Sequence, residues 1–404
     1  MQNILKAGTA IFLTLTCVLA SFGQQNKKII QIEPSRKPDA NSVPATKPEK
    51  QPLPEKTQED DEVLRVETEL VSIPAVVFDR SGKPLTRLQA KNFQVFEDGK
   101  PQQIENFATT ETPFEIVLLL DTSGSTRGEL NLIQRAAEAF IKALRPGDKV
   151  AVVAFKNEKI DERKESVVDF LTNLTDDRAQ LQSALEKIKT SNGTPFYEAM
   201  EQIADKVFAS KPSPAQIGRR AIVALTDGVD STSSIEFEDA RIKIAEAGVA
   251  CYFVQVNTED FVEERVLGSC GDETALRFSQ TQLRRYRKLL KPRPGRTRPE
   301  LENFCDLGQF ERLDISRKLY KIARFEMEQM AKNTAGKLFP AADLNDAKTA
   351  FAQVAQEIGT QYSLGYYSNN QRRDGTFRQI RVELRGLPTG AKVQAREGYY
   401  AQKN

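Results

Sequence analysis

Asp121, Ser123 and Ser125 stand at alternate positions directly after the apolar run 114–120. One carboxylate and two hydroxyls so spaced are hard oxygen donors. They can fill part of the octahedron of Mg²⁺ and leave it waters that an outside carboxylate could displace. The same residue types also build tight turns and helix N-caps, so this loop alone leaves the plain reading open. Two further stretches narrow the choice. Ile222-Val-Ala-Leu-Thr-Asp227-Gly228 repeats the pattern of a buried strand ending in a carboxylate, and Asn192-Gly193-Thr194-Pro195 delivers a hydroxyl just ahead of a helical stretch.

Side chains so far apart in sequence need a frame that brings their loops together. Between Pro113 and about Asn257, apolar runs of strand length alternate with helical stretches. Leu130, Ile133, Ala137, Ile141 and Leu144 keep one helix face apolar, and strands follow at 149–155 and 166–170. Further helices are expected at 178–189 and 196–209, and Ser233-x-x-Glu236 reads as the capping box of the next, ahead of a strand at 251–256. Repeated βα units imply an α/β fold, a doubly wound, mostly parallel sheet with right-handed crossovers. In such a sheet ligands sit beyond the carboxyl ends of the strands, where Asp121, Ser123, Ser125, Thr194 and Asp227 would gather.

Position by position these five residues resemble the metal-ion-dependent adhesion site of the von Willebrand factor type A domain. The resemblance implies a Rossmann-like sheet and a divalent cation, Mg²⁺ with Mn²⁺ or Ca²⁺ as alternatives. Ser123, Ser125 and Thr194 would hold the ion directly and Asp121 and Asp227 would act mostly through waters. It further implies a protein partner that completes the ion with an Asp or Glu. Thr126 departs from the Met that many relatives carry after the second serine, outside the ligand set. The flanking stretches Phe93-Gln-Val-Phe-Glu-Asp-Gly-Lys100, Gln361-Tyr-Ser-Leu-Gly-Tyr366 and Arg396-Glu-Gly-Tyr-Tyr400 resemble those of exported acidobacterial-type relatives.

Composition excludes several chemistries. The chain has 404 residues and no histidine, which removes His-ligated zinc, Ser-His-Asp and Cys-His nucleophile systems and histidine acid-base catalysis. A formal net charge of +2 gives no global bias toward nucleic acid or membranes. Ser123 stands where an aspartyl phosphatase needs its second Asp, and no Gly-x-x-x-x-Gly-Lys-Ser/Thr phosphate loop is present. A binding role, not an enzymatic one, is therefore expected. The alternative is a structural cell-envelope protein whose metal site is not essential.

Residues 1–23 read as a signal peptide: Lys6 precedes the apolar run 10–20, with cleavage expected after Gly23. Residues 24–62, rich in Pro, Lys, Glu and Gln, form an expected disordered linker. No later segment is apolar enough to span a bilayer, so an exported protein, periplasmic or secreted, is expected. Residues 63–110 and 361–404 form β flanks around an α/β domain at 113–360, each too small to be stable alone. They are expected to pack together as one antiparallel β-sandwich, and the turn Arg373-Asp374-Gly375 suggests that the strands 362–367 and 377–384 pair. Within the domain, 258–315 reads as an irregular basic insertion carrying the run 284–298, a possible contact for an anionic envelope polymer, not for nucleic acid. Export favours disulfides. Cys270 and Cys305 bracket this insertion and are expected to pair, while Cys251, at the head of an apolar strand, is expected to be a buried free thiol.

Overall fold

In the computed structural model, residues 70–401 are described except 110, 125–129, 161, 211–217, 270–276 and 290–303. The expected signal peptide at 1–23 and linker at 24–62 lie outside the described residues, as do Ser125 and Cys270. Everything described belongs to one unit of the chain, Arg65–Asn404.

The first strands are β1 (Leu70–Phe78), β2 (Phe93–Glu97), β3 (Lys100–Gln102) and β4 (Asn106–Ala108). The α/β region begins with β5 (Glu115–Leu120), α1 (Leu130–Ala143), β6 (Lys149–Ile160), β7 (Arg163–Phe170) and α2 (Arg178–Glu186). It continues through α3 (Phe196–Lys206), β8 (Arg220–Thr226), α4 (Phe237–Glu246), β9 (Ala250–Val256), α5 (Glu259–Val266) and α6 (Gln280–Leu289). After α7 (Gln309–Asn333), β10 (Lys337–Ala341) and α8 (Ala347–Gly359), the chain closes with β11 (Tyr362–Tyr367), β12 (Phe377–Leu384), β13 (Lys392–Ala395) and β14 (Gly398–Tyr400).

The central sheet has the order β10-β9-β8-β5-β6-β7. Its pairs are parallel except β6 with β7, which closes one edge antiparallel. Ile116, Leu118 and Leu120 of β5 pack with Ile133, Phe140, Leu181, Phe351 and Val354 on one face. Val117 and Leu119 pack with Phe196, Met200, Ile244 and Met327 on the other. Helices cover both faces, which is why β5 reads as an unbroken apolar run and not as an alternation. The observed fold class is the expected one, a mostly parallel α/β sheet beside antiparallel sheets.

The flanks interleave. One antiparallel sheet runs β13-β1-β11-β4 and the second runs β14-β12-β2-β3, so each contains strands from both ends of the chain. Val71, Ile73, Ala75 and Val77 of β1 face inward at the two-residue period of a strand, against Phe93, Val95, Tyr362, Leu364 and Ile380. The expected pairing of β11 with β12 is corrected. β11 lies between β1 and β4, whereas β12 lies between β2 and β14 in the other sheet. The turn at 373–375 sits in a crossover between sheets, because both edges of β11 are already taken by strands from the N-terminal flank.

A buried ion pair stitches these layers. Glu97 of β2 accepts from Tyr366 OH at 2.7 Å, Tyr399 OH at 2.9 Å and Ser368 Oγ at 2.5 Å, and lies 3.4 Å from Arg378 Nη1 of β12. Both charged side chains are under 5% exposed, at 4% for Arg378 and 2% for Glu97. Removing one partner of such a pair leaves the other charge buried and uncompensated. Glu97→Gln is expected to lower stability by about 2 kcal/mol, read as a lower urea midpoint with an unchanged slope.

Arg219 ties the two parts together at the root of β8. Its Nε donates to Thr112 O at 3.0 Å and its Nη1 to Gln361 O at 2.5 Å, and the guanidinium carbon lies 3.9 Å from the centre of the Phe114 ring. One buried side chain thus holds both the entry to and the exit from the α/β region.

The insertion at 258–315 is corrected from irregular to helical over its described part: α5, α6 and the start of α7 occupy it. Val262, Val266, Leu283, Tyr286, Ile315, Leu319 and Tyr320 form a small core of their own. These apolar positions are thinly spread among charges, so their helical period is hard to read from sequence. Arg285 of the basic run is turned inward, its Nη1 2.5 Å from Asp230 and its guanidinium 4.6 Å from the centre of the Tyr197 ring. Lys288 pairs with Glu236 at 2.7 Å, so these two cations are already neutralised from within the fold. The start of α4 is also corrected. Glu236, not Ser233, is the N-cap, in a reciprocal box with Asp239, because the Ser233 hydroxyl donates to Asp230 instead. Cys251 is a buried free thiol, and Cys305 is disulfide-bonded. No helix among the described residues is long and apolar enough to cross a membrane.

Candidate functional site

β5 and β8 are parallel neighbours with Leu120 opposite Leu225, so Asp121 and Asp227 leave the sheet at the same edge. The Asp121 amide completes this register by donating to Leu225 O at 2.9 Å. Local donors then pin the Asp121 carboxylate. Its Oδ2 accepts from Thr226 Oγ1 at 2.7 Å and its Oδ1 from the Ser123 amide at 3.0 Å. Asp227 is held in the same manner, its Oδ1 accepting from the Val229 amide at 3.0 Å and its Oδ2 from Thr258 Oγ1 at 2.7 Å.

The loop carrying Thr194 is sewn to both strand ends. The Ser191 amide donates to Thr122 O at 2.8 Å, the Thr194 amide to Ser231 Oγ at 2.8 Å, and the Ser231 amide to Thr194 O at 3.0 Å. Asp230, three residues beyond Asp227, caps the start of α3 by accepting from the Tyr197 amide at 3.0 Å. Gly228 permits the turn. Its φ is +78°, and an added Cβ would lie 2.4 Å from Met327 Cε, so α7 packs directly behind this loop. The structure therefore brings Asp121, Ser123, Thr194 and Asp227 to one sheet edge; Ser125 is outside the described residues.

All four side chains are buried, from 1% exposed for Asp121 to 5% for Thr194. Two carboxylates in such a place oppose one another's ionisation. Burial, and then the Asp227 charge, push the Asp121 carboxyl up to about 7, although Thr226 and Ser123 hydrogen bonds favour its ionised form. Among the described residues no cluster of three or more His, Cys, Asp or Glu has the makings of a metal cage. A cation held here would rest on the two carboxylates together with hydroxyls, a donor set of hard oxygens that suits Mg²⁺, Mn²⁺ or Ca²⁺ and not a soft metal. The residues present fit such an ion.

Sequence reasoning missed Thr226, Thr258 and Tyr320. Thr226 and Thr258 could have been found as the last residue of one strand and the second residue past another, at the same edge as Asp121. Tyr320 had no local signal, being 93 positions from the Asp227 it approaches.

The family model described as the von Willebrand factor type A domain matches residues 116–229. Among curated proteins no match is found. Among solved structures the chain is similar to the conserved hypothetical protein BatB from Bacteroides thetaiotaomicron. The two are 18% identical, with 61% of this chain and 98% of that one covered and a TM-score of 0.36. It is also similar to a von Willebrand factor type A protein from Catenulispora acidiphila, 12% identical, covering 78% and 76% at a TM-score of 0.39. A third is the pilus adhesin SpaC from Lactobacillus rhamnosus GG, 10% identical, covering 79% and 48% at 0.37. With the strand order, the paired Asp121 and Asp227 at one sheet edge and the family match in agreement, residues 116–229 are a von Willebrand factor type A domain.

Proposed function

We propose that this chain is an exported binding protein that holds a divalent cation at Asp121, Ser123, Ser125, Thr194 and Asp227 and presents it to an acidic side chain of a protein partner. The observation that carries this reading is the pair of buried carboxylates at adjacent strand ends, each held by protein donors, with Asp121 pushed up to about 7. A divalent ion supplies the positive charge that this arrangement calls for. Mg²⁺ is the favoured ion. Ser123, Ser125 and Thr194 would hold it directly, and the two aspartates would orient its waters. Neutral direct donors leave the ion electrophilic enough to take a carboxylate from outside. Binding is the whole of the proposed activity; no catalytic role is assigned. A disulfide between Cys305 and Cys270 belongs to the same reading, since an oxidising compartment follows from export.

The test has two arms. Calorimetric titration of the mature chain with Mg²⁺ or Mn²⁺ is expected to show one site, lost in Asp227→Ala. Capture of an envelope protein is expected to fall at least about ten-fold with chelator and in Asp227→Ala. Capture that persists in both cases sinks this reading and favours the structural one.

A further inference from the structure

We propose that Thr258 and Tyr320 form a relay of two hydroxyls that positions Asp227, so that the added helical layer sets how tightly the site takes its cation. The inference rests on the cation reading above and extends it to residues that do not touch the ion. Thr258 Oγ1 is 2.7 Å from Asp227 Oδ2 and 2.6 Å from Tyr320 OH, and Tyr320 OH is itself 3.4 Å from the same carboxylate oxygen. Both residues are buried, Thr258 at 7% exposed and Tyr320 at 9%.

Proton counting fixes the direction. A threonine hydroxyl has one hydrogen to give, and at 2.7 Å it goes to the carboxylate, which has none. In the 2.6 Å contact Tyr320 is therefore the donor and Thr258 the acceptor. The order is Tyr320 to Thr258 to Asp227, and each hydrogen bond in such a chain polarises and strengthens the next. With its Oδ1 accepting from the Val229 amide and its Oδ2 from Thr258 Oγ1, the Asp227 carboxylate has a donor on each oxygen that fixes its orientation toward the site.

The two aspartates are thus held from different places. Asp121 is pinned from within its own sheet, by Thr226 and Ser123. Asp227 is pinned by Thr258, just past β9, and through it by Tyr320 on α7. Tyr320 is fixed in turn by the small core of Val262, Val266, Leu283, Tyr286, Ile315 and Leu319. The segment 258–315 that interrupts the alternation of strand and helix therefore supplies Thr258, and its core packs against Tyr320 just beyond it.

Tyr320→Phe keeps the ring and its packing but removes the hydroxyl, and Thr258→Val keeps the shape but removes the donor. Mn²⁺ affinity of the full mature chain, followed by electron paramagnetic resonance, is expected to weaken about ten-fold in each variant. Because the two hydroxyls act in series, the double variant is expected to be no weaker than Thr258→Val alone, and Thr258→Ser to bind like the native chain. A purely structural role would give additive losses and no rescue by serine. Native-like affinity in Tyr320→Phe, within about two-fold, overturns the relay, as do additive losses. If the native chain itself takes up no Mn²⁺, the cation reading falls and the relay with it, whereas binding by the native chain with unchanged variants overturns the relay alone.

Discussion

In chelator, the protein is expected to lose stability as pH rises from about 4 to about 8, the reverse of what carboxylates in favourable ion pairs produce. The Asp121 carboxyl is pushed up to about 7 from its ordinary 3.8 by burial and by Asp227. Between those two values the folded chain keeps a proton that the unfolded chain has released. Stability from this group is therefore fully present below the unfolded value and is lost as pH rises through the folded one. A shift of this size corresponds to an effect on the order of 2–4 kcal/mol, carried by the pair and not by Asp121 alone. Glu326 is also pushed up to about 7 by burial and adds slope of the same sign. Asp121→Asn isolates the site's share and is expected to flatten the profile.

Saturating Mg²⁺ is expected to remove most of that slope. The ion is taken by ionised carboxylates, so its affinity should climb with pH until about 7 and level off. Differential scanning calorimetry at about pH 5 and about pH 8, each with chelator and with Mg²⁺, reads both effects. A melting temperature raised equally by Mg²⁺ at the two pH values would mean that Asp121 and Asp227 do not take up the ion.

The parts of the fold that were legible in sequence are those whose signal is local. β5 and β8 announce themselves because strands covered on both faces need apolar side chains at every position, and Asp121 and Asp227 mark where each run stops. What failed was non-local. The turn at 373–375 looks like a hairpin, but which strands flank β11 depends on β1 and β4, nearly three hundred residues earlier in the case of Leu70 and Tyr367. The insertion hid its helices because Leu283 and Tyr286 lie within a run of arginines and lysines whose inward-facing member, Arg285, is neutralised by Asp230. In the candidate site the carboxylates were legible and their supports were not, since Thr258 and Tyr320 acquire meaning only once β9 and α7 are placed against β8.

Gly336→Ala is expected to be among the most damaging single-methyl changes in the described part of the chain. An added Cβ would lie 1.8 Å from the carbonyl oxygen of Cys251 and 2.9 Å from its amide nitrogen. These atoms are backbone, so no rotamer can move them aside. Cys251 cannot retreat either: it is in β9, paired with β8 through Ile222, and its amide donates to Thr334 Oγ1 at 3.0 Å. Gly336 is held from its own side, its amide donating to Ala331 O at 2.9 Å and its carbonyl accepting from Gln394 Nε2 at 2.8 Å. Relief requires β10 to pull away from β9, loosening one edge of the sheet and a contact to the sandwich together. Overpacking against movable side chains costs about 1–3 kcal/mol; against two fixed backbones about 4 kcal/mol or more is expected, which in a unit of this size lowers the melting temperature by about 6 °C. Gly359→Ala, where a Cβ meets nothing within 4 Å, is the matched control and should leave the melting temperature almost unchanged. Equal melting temperatures for the two variants would show that β10 is not seated on β9 at this distance, and the edge of the sheet would have to be redrawn.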